Sequence, residues 1–357
     1  MRRTANGRVR LAAALTVASL GLLACGSNDS GGGGTDSAEP AASSGAGAEE
    51  TVRVGLAYDV GGRGDRSFND SAAAGLDQAK EELGIEAEEL SPNASGSDRG
   101  DNLRTLAEEG FDPIIAVGFA YAESLGPVAT DFPDTTFLIV DDASVEADNV
   151  KALLFAEEQG SFLVGAAAAL KSTSGNVGYI GGVETPLLQK FEAGFVAGAK
   201  QVKPDIETQV RYLSQPPDFS GFGDPAAGLE TANGMYDAGA DVIYAAAGGS
   251  GVGVFQSAVA KGTMAIGVDS DQYESVGDAE LQKVIITSML KRVDVAVFET
   301  LEKFVNGEEI PAQTVFDLST EGVGYSTSGG FVDDIAPQLE ELKAQIVSGE
   351  ITVPTEP

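Results

Sequence analysis

The chain has 357 residues, with 22 Lys and Arg against 55 Asp and Glu, and its formal charge is −33 at pH 7. This acidity argues against nucleic acid as a partner, because such binding depends on cations that neutralise phosphates, and it disfavours a polyanionic ligand. The sequence has no His, which excludes His-based acid–base catalysis and His-ligated metal sites, and its single Cys excludes an internal disulfide.

Residues 1–24 are predicted to be a secretory signal peptide. Four arginines precede LAAALTVASLGLLA, an apolar segment of about 14 residues that is too short to span a membrane. The stretch LLAC, ending at Cys25, resembles a lipobox, in which a peptidase cuts before the cysteine and the thiol then carries lipid such as palmitate. An ordinary signal peptide with an incidental cysteine is the alternative.

Residues 25–50 follow as the lipidated Cys25 and a tether rich in Gly, Ser and Ala, which is typical of a flexible linker. We therefore expect a globular body that is lipid-anchored at the extracytoplasmic face of the cell membrane.

From residue 51, short β-branched segments alternate with amphipathic segments, a pattern typical of parallel sheets covered by helices on both faces. The first series predicts strands at TVRVGLAYD, EAEEL, PIIAVG, TFLIVDD and VKALLFA, with helices at SAAAGLDQAKEELG, GDNLRTLAEEG and AESLGPVATDFP.

The same alternation then begins again with the helix EEQGSFLVGAAAALKS. The further predicted strands are NVGYIGG, TQVRYLS, DVIYAAAGG, MAIGVDSD, VIITSML and the strand-like QTVFDLSTEGVGYS. The further helices are LLQKFEAGFVAGAKQV, AAGLETANGMYDAG, GVFQSAVAKG, RVDVAVFETLEKFVNG and DDIAPQLEELKAQIVSGE.

Two successive series of similar size predict two α/β lobes with a cleft between them. We expect the first lobe to comprise residues 51–157 with a returning segment of about 288–306, and the second to comprise residues 158–287 with about 307–350. The chain would then cross between the lobes more than once.

Candidate binding residues follow several of the predicted strands. Because ligands of open α/β sheets bind beyond the carboxyl ends of the strands, we expect these side chains to meet in the cleft. They are aromatic residues, carboxylates, one amine and a glycine-rich turn: Phe68 and Asn69 in RSFND, Asp141 and Asp142, Phe219 and Phe222 in FSGFGDP, GGSGVG, Asp269 and Lys291.

Each candidate also has an ordinary structural interpretation. Phe68 could anchor the base of a loop, the aspartates could cap helices or lie in solvated turns, and Lys291 could be a surface lysine. GGSGVG at a helix N-terminus could bind phosphate, but it lacks the lysine and the spacing of a P-loop. Backbone amides that donate to a neutral ligand are the favoured interpretation of that turn.

Six segments together resemble the basic membrane protein family of substrate-binding lipoproteins, which includes purine nucleoside receptors of bacterial ABC importers. They agree in order and spacing over about residues 51–350: GRGDRSFNDSAAAG, FLIVDD, GFGDPAAG, AAAGGSGVG, AIGVDSDQ and TSMLKRVDVAV. The resemblance implies a type I periplasmic-binding-protein fold, with two doubly wound parallel-sheet lobes and a hinge. It also implies a monomer that needs no cofactor or metal, makes and breaks no bond, and delivers a nucleoside to a membrane permease.

The resemblance further implies a role for each candidate residue. Phe68 stacks on the base beside Asn69, Asp141 or Asp142 meets the base, and Phe222 is the second stacking residue with Phe219 as the alternative. The turn Gly248–Gly251, including Gly249 and Gly251, presents backbone amides, and Asp269 and Lys291 hold the ribose hydroxyls. Three other functions remain open: binding of a sugar or another small polar solute, metal-assisted hydrolysis of nucleosides by the aspartates, and a sensory module of the same fold.

Overall fold

The structure is a computed structural model that describes residues 51–357. The predicted signal peptide, Cys25 and the tether lie outside the described residues. The strands are β1 (Arg53–Ala57), β2 (Glu86–Leu90), β3 (Ile114–Ala116), β4 (Phe137–Val140), β5 (Val150–Phe155), β6 (Asn176–Val183), β7 (Glu207–Ser214), β8 (Val242–Ala246), β9 (Met264–Asp269), β10 (Ile285–Lys291), β11 (Gln313–Phe316) and β12 (Val323–Tyr325).

Helices alternate with most of these strands. They are α1 (Phe68–Leu83), α2 (Arg99–Glu108), α3 (Ala122–Asp131), α4 (Glu157–Lys171), α5 (Pro186–Val202), α6 (Pro225–Asp237), α7 (Gly251–Lys261), α8 (Gln272–Ser275), α9 (Ala279–Gln282), α10 (Val293–Val305) and α11 (Ala336–Val347). Short 3-10 turns cover Phe119–Tyr121, Ser220–Phe222, Gly248–Ser250 and Ser328–Gly330.

The strands form two six-stranded sheets, each the centre of one lobe. The first sheet has the order β11-β5-β4-β3-β1-β2 and is parallel throughout. The second has the order β12-β10-β9-β8-β6-β7, and only β12 runs antiparallel to its neighbour β10. The predicted α/β class with two parallel-sheet lobes is therefore confirmed.

The hydrophobic pattern explains the layering of both lobes. Central strands such as FLIV of β4 and VIYAA of β8 are buried along their whole length, because helices cover both faces of each sheet. α1 and α10 pack on one face of the first sheet and α2 and α3 on the other. In the second lobe α4 and α5 lie on one face and α6 and α7 on the other.

Local signals in the sequence set several helix ends. Thr185 and Asp224 cap α5 and α6 by accepting backbone N–H groups, and a proline follows each cap at the first helical position. Gly84 and Gly262 end α1 and α7 in the left-handed conformation that glycine adopts without steric cost.

The chain crosses between the lobes three times. The crossings lie at Ala156 between β5 and α4, at Arg292 between β10 and α10, and at residues 317–322 between β11 and β12. After the second crossing α10 packs against α1, where a β-carbon at Gly75 would collide with the carbonyl of Asp294.

Two of the expected lobe boundaries were wrong. β10 pairs with β9 up to Leu290, so the returning segment begins after Lys291 rather than at about 288. β11 pairs with β5 in the first sheet, so residues 313–316 do not belong to the second lobe. The strand-like QTVFDLSTEGVGYS is in fact two strands in different sheets, and its hydrophobic periodicity carries no information about which strand each will pair with.

Candidate ligand-binding cleft

A cavity of about 570 Å³, partly open to solvent, lies between the lobes at the carboxyl ends of the strands. Both lobes contribute to its lining. The first lobe supplies Asp59, Val60, Asp65, Phe68, Asn69, Gly118, Phe119 and Asp141; the second supplies Leu187, Leu188, Phe191, Phe222, Ala246, Gly248, Val268, Asp269 and Lys291.

Two aromatic rings line the cavity from different lobes. Phe68 is the first residue of α1, and Phe222 lies in the 3-10 turn after β7. Both are half-buried, so part of each ring remains available to a ligand. Apolar side chains from one face of α5, Leu188 and Phe191, extend this lining.

Asn69 holds together the loop that carries Phe68. Its Oδ1 accepts the backbone N–H of Asp59 at 2.9 Å, and its Nδ2 donates to Asp65 Oδ2 at 3.0 Å. Asp65 also accepts the backbone N–H groups of Ser67, Asn69 and Asp70. Burial raises the pKa of Asp65 to about 6, although these hydrogen bonds act in the opposite direction.

Lys291, at the end of β10, is the centre of a buried charged cluster. Its Nζ lies 2.6 Å from Asp141 Oδ2 and 3.2 Å from Glu157 Oε1. The same Nζ lies 5.2, 5.0 and 5.5 Å from the ring centroids of Phe68, Phe155 and Phe191, within the range of cation–π attraction.

The pKa values in this cluster are displaced because buried carboxylates surround a buried ammonium. Burial alone would lower the pKa of Lys291, but the charges of Asp141, Glu157 and Asp269 outweigh it and raise that pKa above its ordinary value. Burial raises the pKa of Asp141 to about 7 despite the attraction of Lys291, and burial also raises the pKa of Asp269.

Asp141 Oδ1 is buried and has no hydrogen-bond partner among the described residues, whereas Glu157 Oε2, also buried, has Lys190 Nζ at 3.5 Å. Leaving a buried acceptor unpaired is costly, and Asp141 lines the cavity, so Asp141 Oδ1 fits a ligand that donates an N–H or O–H group. An anionic ligand would meet an excess of negative charge at the same place.

Both strand-end aspartates have left-handed backbones, with φ of 71° at Asp141 and 63° at Asp269. Residues with a β-carbon rarely adopt this conformation, and such strain is concentrated at functional sites. Ser67 Oγ donates to Asp269 Oδ2 at 2.6 Å, which links this aspartate of the second lobe to the first lobe.

Six of the predicted binding residues line the cavity together: Phe68, Asn69, Asp141, Phe222, Asp269 and Lys291. The other four do not line it, and this corrects their expected placement: Asp142, Gly249, Gly251 and the alternative stacking residue Phe219. Asp142 accepts the backbone N–H and hydroxyl of Ser144. Gly251 begins α7 and only Gly248 of the glycine-rich turn reaches the cavity.

The sequence analysis did not identify several residues that line the cavity, and it did not identify Glu157 of the charged cluster. Asp59 and the pair Gly118–Phe119 follow β1 and β3, so a systematic search of strand ends would have found them. Phe191 lies within α5, where the sequence pattern gives no signal of its position, whereas Glu157 lies two residues after β5 and the same search would have found it.

Comparison with known proteins places this architecture in a family. The model of the family described as ABC transporter substrate-binding protein PnrA-like matches residues 52–356. The chain belongs to this family. The resemblance to basic membrane proteins inferred from the six segments is thereby confirmed.

Individual relatives agree with this assignment. The CD4+ T-cell-stimulating antigen of Listeria monocytogenes is 35% identical over 85% of this chain and 88% of its own length. The ABC transporter nucleoside-binding protein BmpA of Lactococcus lactis is 31% identical over 98% of this chain and 99% of its own. A solved solute-binding protein of an ABC transporter system from Aeropyrum pernix is 31% identical, with a TM-score of 0.74 over 85% of this chain and 93% of that chain.

The family makes the chain a solute-binding protein of an ABC transporter, a carrier and not an enzyme. The predicted type I periplasmic-binding-protein fold is confirmed by the same structural likeness. Among residues 51–357 no group of His, Cys, Asp or Glu side chains is arranged to hold a metal ion. Within the same residues every helix is too short or too polar to cross a bilayer.

Proposed function

We propose that this solute-binding protein carries a nucleoside, with a purine preferred, in the cavity between its lobes and delivers it to the permease of its transporter. The observation that supports this most directly is the lining itself. Phe68 and Phe222 reach one cavity from different lobes, beside the charged cluster of Lys291, Asp141, Glu157 and Asp269.

The aromatic pair suits a planar base. Stacking of a base on an aromatic side chain contributes about 1–3 kcal/mol per base and tolerates different bases. Asn69, which Asp59 and Asp65 hold in place, lies next to Phe68 and offers a polar contact at the edge of the base.

The charged cluster suits hydroxyl and N–H donors. Asp141 Oδ1 has no hydrogen-bond partner within residues 51–357 and would accept from the base, and Asp269 and Lys291 would hold the ribose hydroxyls by charge-assisted hydrogen bonds. Its three carboxylates disfavour a phosphate, so nucleosides should bind in preference to nucleotides. The relative named as a nucleoside-binding protein supports the same ligand class.

Capture would work by closure of the lobes about the three crossing segments. A ligand that contacts both lobes binds the closed form best and shifts the population toward it. We further propose that the monomeric protein is anchored on the extracytoplasmic side of the membrane by lipid on Cys25. Relatives in Pyrococcus species named as lipoproteins support this anchoring.

A thermal-shift panel tests the ligand class. The unlipidated Cys25→Ser chain is melted with adenosine, guanosine, inosine, uridine, free bases, ribose, glucose, AMP and GMP. Nucleosides should raise the melting temperature in a concentration-dependent way, and nucleotides should not. A response to sugars alone would overturn the nucleoside assignment while leaving the solute-binding role intact.

A further inference from the structure

Among the described residues, two sets of contacts join the lobes through side chains of the second lobe that do not line the cavity. The first is aromatic. Phe219, in the loop after β7 of the second lobe, packs edge-on against Phe119 of the first lobe, with ring centroids 5.9 Å apart and planes at 62°. The guanidinium carbon of Arg99, also in the first lobe, lies 5.7 Å from the centroid of the same ring. We call Phe219 with Phe119 and Arg99 the aromatic clasp.

The first-lobe side of the aromatic clasp is held firmly. Arg99 is buried, its Nη2 donates to Asp59 Oδ1 at 2.6 Å, and its guanidinium also lies 5.7 Å from the ring of Tyr121. Phe219 therefore packs against a surface that the first lobe positions independently. Phe219 itself does not line the cavity.

The second set of contacts is polar and centres on the carbonyl oxygen of Arg66, in the loop before α1. It accepts Gln272 Nε2 at 3.0 Å and Ser275 Oγ at 3.2 Å, both from α8 of the second lobe. Ser270 Oγ adds a bond to the carbonyl oxygen of Ser67 at 2.9 Å. We call these bonds the carbonyl clasp.

Arg66 has a φ of 57°, a conformation that a residue with a β-carbon rarely adopts. Such a backbone persists when its surroundings hold it, and here the surroundings include two donors from the other lobe. None of Arg66, Gln272 and Ser275 lines the cavity.

Neither clasp includes a residue of the three crossings, at Ala156, at Arg292 and at residues 317–322. When the lobes rotate apart about those crossings, the atoms joined by the clasps separate while the contacts within each lobe persist. The clasps therefore stabilise the closed form and not the open form, whichever solute is bound.

We propose that the aromatic clasp and the carbonyl clasp are closure contacts that set how long the lobes stay shut around the solute. Phe219 and Ser275 act without touching the ligand. This inference rests on the solute-binding role of the family and not on the nucleoside assignment. A stable clasp slows opening, and since release follows opening, it lowers the dissociation rate more than it changes the association rate.

The first experiment measures closure without any ligand. Spin labels are placed at Glu123→Cys and Glu230→Cys, two exposed positions on different lobes, in the chain that carries Cys25→Ser. This chain has no other cysteine. Pulsed electron spin resonance then gives the distribution of distances between the lobes. Phe219→Ala and Ser275→Ala should each enlarge the long-distance population, and Phe219→Tyr, which keeps the ring, should restore the original distribution.

The matched controls are Phe304→Ala and Ser348→Ala. Phe304 is half-buried on α10 of the first lobe, and Ser348, the residue after α11, donates its Oγ–H to the carbonyl oxygen of Gln345 in that helix. Neither control should change the distance distribution. Identical distributions for Phe219→Ala, Ser275→Ala and the parent chain, with unchanged melting temperature, would overturn the clasp proposal.

The second experiment follows release of guanosine by stopped-flow displacement. Loss of an aromatic pair should raise the dissociation rate in Phe219→Ala by about three- to tenfold. Loss of one hydrogen bond in Ser275→Ala should raise it by about two- to tenfold. Unchanged dissociation rates in both variants would contradict the proposal. If the parent chain does not bind guanosine, the nucleoside assignment fails and the distance measurement still decides whether the clasps exist.

Discussion

The aromatic pair Phe68 and Phe222 and the charged cluster around Lys291 contribute to the same cavity, the cluster through Lys291, Asp141 and Asp269, but they are built differently. The two rings are half-buried and lie at the start of a helix and in a short turn. Lys291 and Glu157 are each about 1% exposed and depend on each other across three elements of the fold. Either ring can be substituted without affecting the other, whereas removal of one charge takes an ion-pair partner away from its neighbours in the cluster.

The same comparison explains how the site can be both rigid and selective. The charged cluster spans the two lobes and lies next to two crossings, because Glu157 follows Ala156 and Lys291 precedes Arg292. The cluster proposed to contact the ligand is therefore directly connected to the segments about which the lobes move. The aromatic pair adds affinity for a planar ring, but it has no such connection to the crossings.

Removal of the ammonium should have the largest effect. Lys291→Met removes the ammonium beside Asp141 and leaves Glu157 with Lys190, 3.5 Å away, and breaking a buried ion pair in this way costs about 3–5 kcal/mol. We expect urea denaturation at pH 7 to show a loss of this size. Lys283→Met, which removes an exposed lysine paired with Glu280, should lose less than about 1 kcal/mol. Equal stability of the two variants would show that the cluster does not depend on Lys291.

Neighbouring aspartates provide the next test of the charged cluster. Asp141→Asn should weaken guanosine binding by about ten- to a hundredfold, because it removes a charge-assisted hydrogen bond and a partner of Lys291. Asp142→Asn is the matched control, since its carboxylate bonds to Ser144 outside the cavity, and it should change affinity less than about twofold. Isothermal titration calorimetry measures the guanosine affinity of both variants. A larger loss of affinity in Asp142→Asn than in Asp141→Asn would assign the ligand contact to Asp142.

Truncation of the aromatic pair should follow. Phe68→Ala and Phe222→Ala should each weaken guanosine binding at least about tenfold through lost stacking, while the fold is retained. Phe304→Ala, a half-buried phenylalanine away from the cavity, is the control. Unchanged affinity in a well-folded Phe68→Ala protein would rule out the stacking role.

The last prediction concerns the pH dependence of stability without ligand. The pKa values of Asp141 and Asp65 are raised to about 7 and about 6, so between the unfolded pKa of about 4 and these values the folded chain binds more protons than the unfolded chain. The free energy of unfolding from these groups must then fall as pH rises through this window and recover as pH is lowered.

Urea denaturation at pH 5, 6, 7 and 8 measures this trend. Asp141→Asn should flatten it, whereas Asp134→Asn, at an exposed position of the first lobe, should leave it unchanged. A slope in Asp141→Asn equal to that of the parent chain would show that Asp141 is not a source of the trend.

Much of the site could be predicted from residues that follow strands. Phe68, Asp141, Asp269 and Lys291 each lie at or just after a strand end or at the start of the next helix, and parallel strands bring such positions to one edge of a sheet. Phe191 could not be predicted in this way, because it reaches the cavity from the face of a helix. Glu157, two residues after β5, meets the same criterion, but its pairing with Lys291 joins distant elements and no local pattern specifies it.

The sequence by itself determined the alternation of buried strands and amphipathic helices, the parallel sheets and the set of polar and aromatic residues at the strand ends, because these depend on local periodicity and chain direction. Only the tertiary structure decided which of two candidate residues close together in the sequence lines the cavity. A left-handed backbone at Asp141 brings it to Lys291 while Asp142 bonds to Ser144, and the fold of one loop places Phe222 in the cavity and Phe219 against the other lobe. These choices depend on contacts between residues far apart in the chain, and no local pattern specifies them.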